Sequence, residues 1–228
     1  MIEVSFSSCE RAAIDSFERS SIQSASDWTM KSFDLTKKVI KDHYLKVQNY
    51  TCCFCRQRIV VKHNRGWDTE HVISRSSYPK FMFHPKNLCV ACIDCNVEKS
   101  SKNVLVTSKK ITKFPARSSC YLIVHPHFDN YDDHIRVIVA GQLYEWITPK
   151  GRETLNVYGL DRFLKVAERS QLPSSNIRRL LVATLLSKDD DTYDSAELEL
   201  LEQLALRHSD KLGPQLSVDV LKSLKVKG

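Results

Sequence analysis

Three features are missing from this chain, and each removes a class of function. No run approaches the roughly 18 uninterrupted apolar residues of a membrane helix, so no spanning segment is expected. The stretch from Met1 to Ser21 has neither a basic start nor an apolar run behind it, so secretion is not expected. No segment recurs at a fixed period, which sets repeat architectures aside.

What is present is globular-domain material with two biases. Of 228 residues, 42% are hydrophobic and 27% charged, enough for one large domain or a core with an appendage. The first bias is cysteine. Four of the eight stand as Cys52/Cys55 and Cys92/Cys95. In a chain without a secretion signal they read as metal ligands in a reducing cytoplasm, not as a disulfide framework. The second bias is charge. Between Lys31 and Arg117 lie 18 Lys/Arg against 6 Asp/Glu, while the remainder carries 16 against 21. The positive field thus sits on the segment holding the cysteines, which suits a phosphate-backbone substrate.

Local patterns organise the chain as α+β. A short helix is expected over Cys9 to Arg19 behind a Ser7/Ser8 cap, with Ala12, Ala13, Ile14 and Phe17 inward. A second spans 34–48, capped by Asp34, with Leu35, Val39, Ile40, Tyr44 and Val47 inward and lysines outward. Strands are expected at Arg58 to Lys62, at Trp67 to Ser74 and at Leu88 to Ala91, the last pairing back before a short helix from Cys92. Tyr121 to Val124, Ile135 to Ala140 and Leu143 to Ile147 read as β-structure, with a turn at Ala140 to Gln142. Helical patterns follow from Arg152, over 173–187 and over 197–208. The divisions are 1–33 as an N-terminal segment open to partner contact, 34–117 as the metal-bound core, 118–170 as a hairpin and helix completing it, and 171–228 as a helical region suited to docking.

Two equal CxxC pairs fit a tetrahedral four-thiolate zinc site whose metal clips a long loop. Cys53 could replace Cys52, and Cys89 could pair with Cys92; the equal spacing favours the outer set. The intervening loop carries the reactive residue types. His71 can act as general base, having an ordinary pKa near roughly 6.5. Glu70 points to the opposite face of a regular strand, so the two converge only at a kink or strand end. Asn96 offers a carbonyl oxygen to a hard cation, and Lys99, one helical turn on, can hold a phosphate. Asn87, at a turn, can fix the connection that sets the His71 rotamer. Arg75 and Lys86, bounding the loop between the strands, join Lys99 as candidate substrate contacts. His125, His127 and His134 form a cluster read as structural.

Glu70-His71, Asn87-Leu88 and Cys95-Asn96-x-x-Lys99 resemble the HNH (ββα-metal) endonuclease motif of the zinc-stabilised branch, with Asn96 where the name expects histidine. The resemblance implies a zinc-clipped ββα-metal core, catalytic roles for His71, Glu70, Asn87 and Asn96, and a divalent cation held by Glu70 and Asn96. An amide oxygen favours Mg²⁺ or Mn²⁺ for that cation. Trp67-x-x-Glu70-His71-Val72, Tyr78-Pro79, the run from Val124 to His134 and Gly159-Leu160-Asp161-Arg162 are similar to the HNH subunits of Septu-type and retron-associated anti-phage systems. Such a protein would be a bacterial cytoplasmic effector working with an ABC-type ATPase, and with a reverse transcriptase and its msDNA. The rival reading is a zinc-clipped nucleic-acid-binding or adaptor module that does not cut.

Overall fold

The computed structural model describes residues 1–61, 64–141 and 143–162. All belong to the first of two compact units, Met1–Phe163. The second, Leu164–Gly228, lies outside the described residues, and so do the helices expected from 173 onward. The described part is α+β, with two separate two-stranded antiparallel sheets. Among the described residues no helix is long and apolar enough to cross a membrane.

Helix α1 (Ser8–Arg19) begins with a capping box, in which Ser7 Oγ accepts from the Glu10 amide and the Glu10 carboxylate accepts from the Ser7 amide at 2.6 Å. It buries Ile14 and Phe17, while Ala12 faces solvent. Phe17 meets Phe33 and Phe83 edge to face at 6.1 and 5.2 Å, so the N-terminal segment packs on the core through an aromatic cluster. Helix α2 (Asp34–Val47) buries Thr36, Ile40, Tyr44 and Leu45. Ile40 and Tyr44 face inward as expected, whereas Thr36 takes the place of Leu35, which stands 56% exposed, and the N-cap is Phe33 with no side-chain bond, not Asp34. Two left-handed residues, Asn49 and Tyr50, turn the chain out of α2, with the Tyr50 amide bonding to the Leu45 carbonyl at 2.9 Å.

Strand β1 (Trp67–His71) pairs with β2 (Leu88–Cys92) in the register Trp67↔Cys92 through His71↔Leu88. Helix α3 (Ile93–Lys99) follows β2 without a linker, giving a continuous ββα unit. Gln48 closes the other edge of β2. Its amide donates to the Val90 carbonyl and accepts from the Val90 amide, both at 2.8 Å, as a neighbouring strand would. β1 stops at His71, short of the expected Ser74, because Asn87 takes over the backbone beyond it. The Asn87 carbonyl accepts from the Val72 amide at 2.9 Å and its side-chain oxygen from the Ile73 amide at 2.7 Å. Asn87 Nδ2 donates to the carbonyls of Ile73 and Phe81, so this fully buried amide staples both ends of the 73–87 loop.

Two expected strands do not form. Over Arg58 to Lys62, only the isolated bridge Thr51↔Arg58 exists among the described residues, and Val60 is 70% exposed, with no core to receive its branched side chain. At Tyr121 to Val124 there is likewise one bridge, Leu105↔Tyr121; the Val124 amide instead donates to Thr154 Oγ1 at 2.7 Å. Burial there comes from a helix, not a sheet partner. The hairpin β3 (Ile135–Val139) and β4 (Leu143–Trp146) does form. Helix α4 (Pro149–Val157) starts earlier than Arg152 because Thr148 caps it and Pro149 suits its first position. Its first turn lies so close to the His134 carbonyl that a Cβ on Gly151 would collide with it.

Asn87→Ala would leave the buried Ile73 amide and the Ile73 carbonyl without their Asn87 partner, each worth about 1–3 kcal/mol, while the Phe81 carbonyl keeps the His84 amide. The variant is expected to lose about 2–4 kcal/mol of stability in urea unfolding, and an unchanged midpoint would contradict the staple.

Candidate active site

Three segments of the chain converge on one cluster of four sulfurs. Cys52 and Cys55 lie in the tight turn after α2, where the Arg56 amide bonds back to the Cys52 carbonyl at 3.0 Å and Arg56 takes a left-handed φ of 57°. Cys92 ends β2 and Cys95 sits in the first turn of α3. The four thiols are buried and their Sγ atoms all lie within 4.8 Å of one another. A tetrahedron with metal–sulfur bonds of about 2.3 Å has edges of roughly 3.8 Å. The Cys55 and Cys92 sulfurs are 3.7 Å apart. The set can hold a structural metal such as zinc. Burial opposes ionisation of Cys52, but hydrogen bonds from the neighbouring Cys53 and Cys55 thiols lower its pKa well below the ordinary value. Cys53 and Cys89 stand apart from the cluster as a buried thiol pair 3.3 Å apart, and burial raises both pKa values. Arg162 adds an outer partner, its guanidinium nitrogens 3.7 and 3.8 Å from the Cys95 sulfur.

The ββα unit contributes to a cavity of about 1080 Å³, lined by Asp68, Glu70, His71, Arg75, Asn96 and Lys99 together with Trp28 and lysines of α2. His71, the last residue of β1, reaches the same cavity as Asn96 because the strand ends there. Its Nε2 is buried and has no hydrogen-bond partner, and the Trp28 ring sits edge to face at 4.6 Å. Burial first, then the charges of Lys99 and Arg75, lower the His71 pKa to about 3, while a hydrogen bond to the Met82 backbone opposes them. The imidazole is therefore neutral near pH 7 and able to accept a proton.

Asp68 was not among the residues singled out from sequence. Its carboxylate accepts from Asn96 Nδ2 at 2.8 Å, joining β1 to α3 at the cavity wall. The signal was available: Asp68 lies two residues before Glu70 and so shares its strand face. Glu70 is occupied differently. Its side chain is 3% exposed and lies 2.6 Å from the Lys99 ammonium. Burial raises its pKa to about 7 although Lys99 pulls it down. Lys99, expected at a phosphate, is also buried and donates to the His71 carbonyl as well. The pair ties α3 to the end of β1.

The other expected contacts divide. Arg75 lines the cavity and donates to the Ala25 carbonyl at 2.7 Å. Lys86 is not among the lining residues; it pairs with Glu3 at 3.4 Å and lies over the Phe128 ring. Asn87 acts through the loop staple. The histidine cluster has protein partners: His127 bonds the Leu88 carbonyl, His125 accepts from the His127 amide, and His134 bonds Thr148 at 2.7 Å. Among the described residues, the four cysteines are the one group of three or more His, Cys, Asp or Glu side chains placed to hold a metal. No family model, curated protein or solved structure matches this chain.

Arg162→Ala is expected to weaken metal retention by roughly 10–100-fold in competition with a chromogenic chelator, because outer partners tune ligand basicity. Release kinetics identical to the unsubstituted chain would remove Arg162 from the site.

Proposed function

We propose that this protein is a metal-dependent endonuclease of the HNH kind, hydrolysing nucleic-acid phosphodiester bonds. The observation that carries the reading is a neutral imidazole at the end of β1 whose Nε2 has no hydrogen-bond partner, on the same cavity as an Asp–Asn pair bridging β1 and α3. His71 would take the proton of the attacking water at Nε2, with its ring held through the Met82 backbone. Nε2 is buried in this state, with the Trp28 ring edge to face on the imidazole, so an attacking water reaches it only when neighbouring side chains move.

The donor set beside it suits a hard cation. The Asp68 carboxylate and the Asn96 amide oxygen are oxygen donors of the type Mg²⁺ and Mn²⁺ take. The 2.8 Å hydrogen bond from Asn96 Nδ2 to the Asp68 carboxylate holds the two side chains together, and the amide oxygen would have to turn toward an ion for both to bind it. These two residues replace the sequence-based pair of Glu70 and Asn96, since the Glu70 carboxylate is engaged by Lys99. A bound divalent ion would supply positive charge to the scissile phosphate and the departing oxygen. Asn87 and the Glu70–Lys99 pair then serve as positioning residues for His71. In the cysteine cluster the structural ion is zinc, with its water-excluding sulfur shell, and it takes no part in the chemistry. The effector setting, beside an ABC-type ATPase and a retron reverse transcriptase with msDNA in a bacterial cytoplasm, belongs to the same proposal and rests on the motif resemblance alone.

His71→Ala, Asp68→Ala and Asn96→Ala should each lower cleavage by roughly 10²–10⁴-fold. Circular plasmid, single-stranded DNA and total RNA are the substrates to test, with Mg²⁺ or Mn²⁺ present. Zinc content and thermal midpoint of the His71 variant should match the parent. Undiminished cleavage by a folded, zinc-loaded His71→Ala protein would leave a binding or adaptor module as the better account.

A further inference from the structure

Part of the lining of the cavity that holds Asp68 and Asn96 belongs to α2. Lys37, Lys38 and Lys41 line it, beside the buried row Thr36, Ile40 and Tyr44 of the same helix. Lys37 and Lys41 are four residues apart, which puts their stems about 6 Å apart along the axis. Arg75 extends this positive wall from the loop after β1, and the hydroxyls of Ser100 and Ser101 line the cavity beyond the end of α3. A row of cations with nearby hydroxyls fits a repeating phosphate backbone better than a single small anion. Lys37 and Lys38 already contact Asp34 and Asp42, at 2.6 and 2.5 Å. Pairs at such exposed positions contribute little, so a phosphate can take the ammonium from its carboxylate.

The depth of the site limits the form of that backbone. His71 is 5% exposed, its Nε2 is buried, and the Trp28 ring packs edge to face on the imidazole. A duplex carries its phosphates on the outside of a stiff cylinder and cannot bring one to a side chain so deeply buried. An unpaired strand can bend into the cavity, and Trp28 offers an aromatic ring on which a base can stack. We propose that the α2 face of Lys37, Lys38 and Lys41 is the binding track for an unpaired nucleic-acid strand, held by its phosphates without base readout. This rests on the nuclease reading and adds to it the strandedness of the substrate and the residues that grip it.

The test uses the full chain carrying His71→Ala, so that a bound probe is not cut. Fluorescence anisotropy is read on one labelled oligonucleotide sequence presented as single-stranded DNA, as RNA and as duplex DNA, over a series of salt concentrations. Either single strand should bind at least about tenfold more tightly than the duplex. Replacing Lys37, Lys38 and Lys41 together with alanine should weaken single-strand binding at least tenfold. It should also flatten the log–log salt dependence by about 2, since each phosphate contact on a single strand contributes roughly 0.7. Lys38→Glu, at an exposed position, should act in the same direction with helix content and zinc content unchanged. Duplex binding as tight as strand binding, an unchanged salt slope in the triple variant, or no binding of any probe would each overturn the proposal. Cleavage by the unsubstituted chain, measured separately, reports on the nuclease reading: cleavage with an intact salt slope in the triple variant would sink the track alone.

Discussion

The geometry of this unit depends on four sulfur atoms. The Cys52–Cys55 turn carries the exit of α2, while Cys92 and Cys95 carry the junction of β2 with α3. Each of β1 and β2 is five residues long, and a two-stranded sheet of that size is marginal in water on its own. Bringing the four sulfurs to within 4.8 Å fixes the angle at which α3 leaves β2. That angle sets Asn96 against Asp68, and His71 reaches the same cavity from the partner strand. A metal bound here would contribute its binding free energy to folding. The remaining support is ordinary packing, such as Phe54 stacked on Tyr158 at 3.5 Å beside the cluster.

A second, electrostatic constraint lies under the first. Glu70 and Lys99 are both almost wholly buried, and their contact joins β1 to the last turn of α3. Buried ion pairs add little net stability, because desolvation offsets much of their attraction. Their value here is positional. A lone buried ammonium or carboxylate is strongly unfavourable, so α3 cannot slide along β1 without stranding one of them. Lys99 also donates to the His71 carbonyl, so the same contact that locates α3 locates the imidazole.

Much of this was legible in the chain because it is local or follows from spacing. The Ser7 cap, α2, the β1–β2 return, α3 and the outer choice among the six nearby cysteines all come from short-range pattern. Asn87 was legible as a turn residue that orders the loop, and its three side-chain bonds do that. What failed was long-range. Branching at Ile59, Val60 and Val61 suggests a strand, but pairing with the 50–51 backbone stops at the Thr51↔Arg58 bridge and the Ile59 amide, and Val60 is left exposed. Lys99 looked like a phosphate ligand because its charge is visible in the sequence, whereas the burial and the Glu70 partner that occupy it are not. The contact between Asp68 and Asn96 is likewise long-range: 28 residues separate them, and only the pairing of β1 with β2 and the exit of α3 bring them together. Trp28 lies 43 positions before His71 in the sequence, and no local signal places its ring on that imidazole.

The measurement that bears most directly on this account is X-ray absorption at the zinc edge of the purified protein. A single shell of four sulfurs at about 2.3 Å is the expected result, because Cys52, Cys55, Cys92 and Cys95 are the group of described residues placed to surround an ion. A shell containing nitrogen or oxygen, or protein that folds fully with no metal bound, would contradict it.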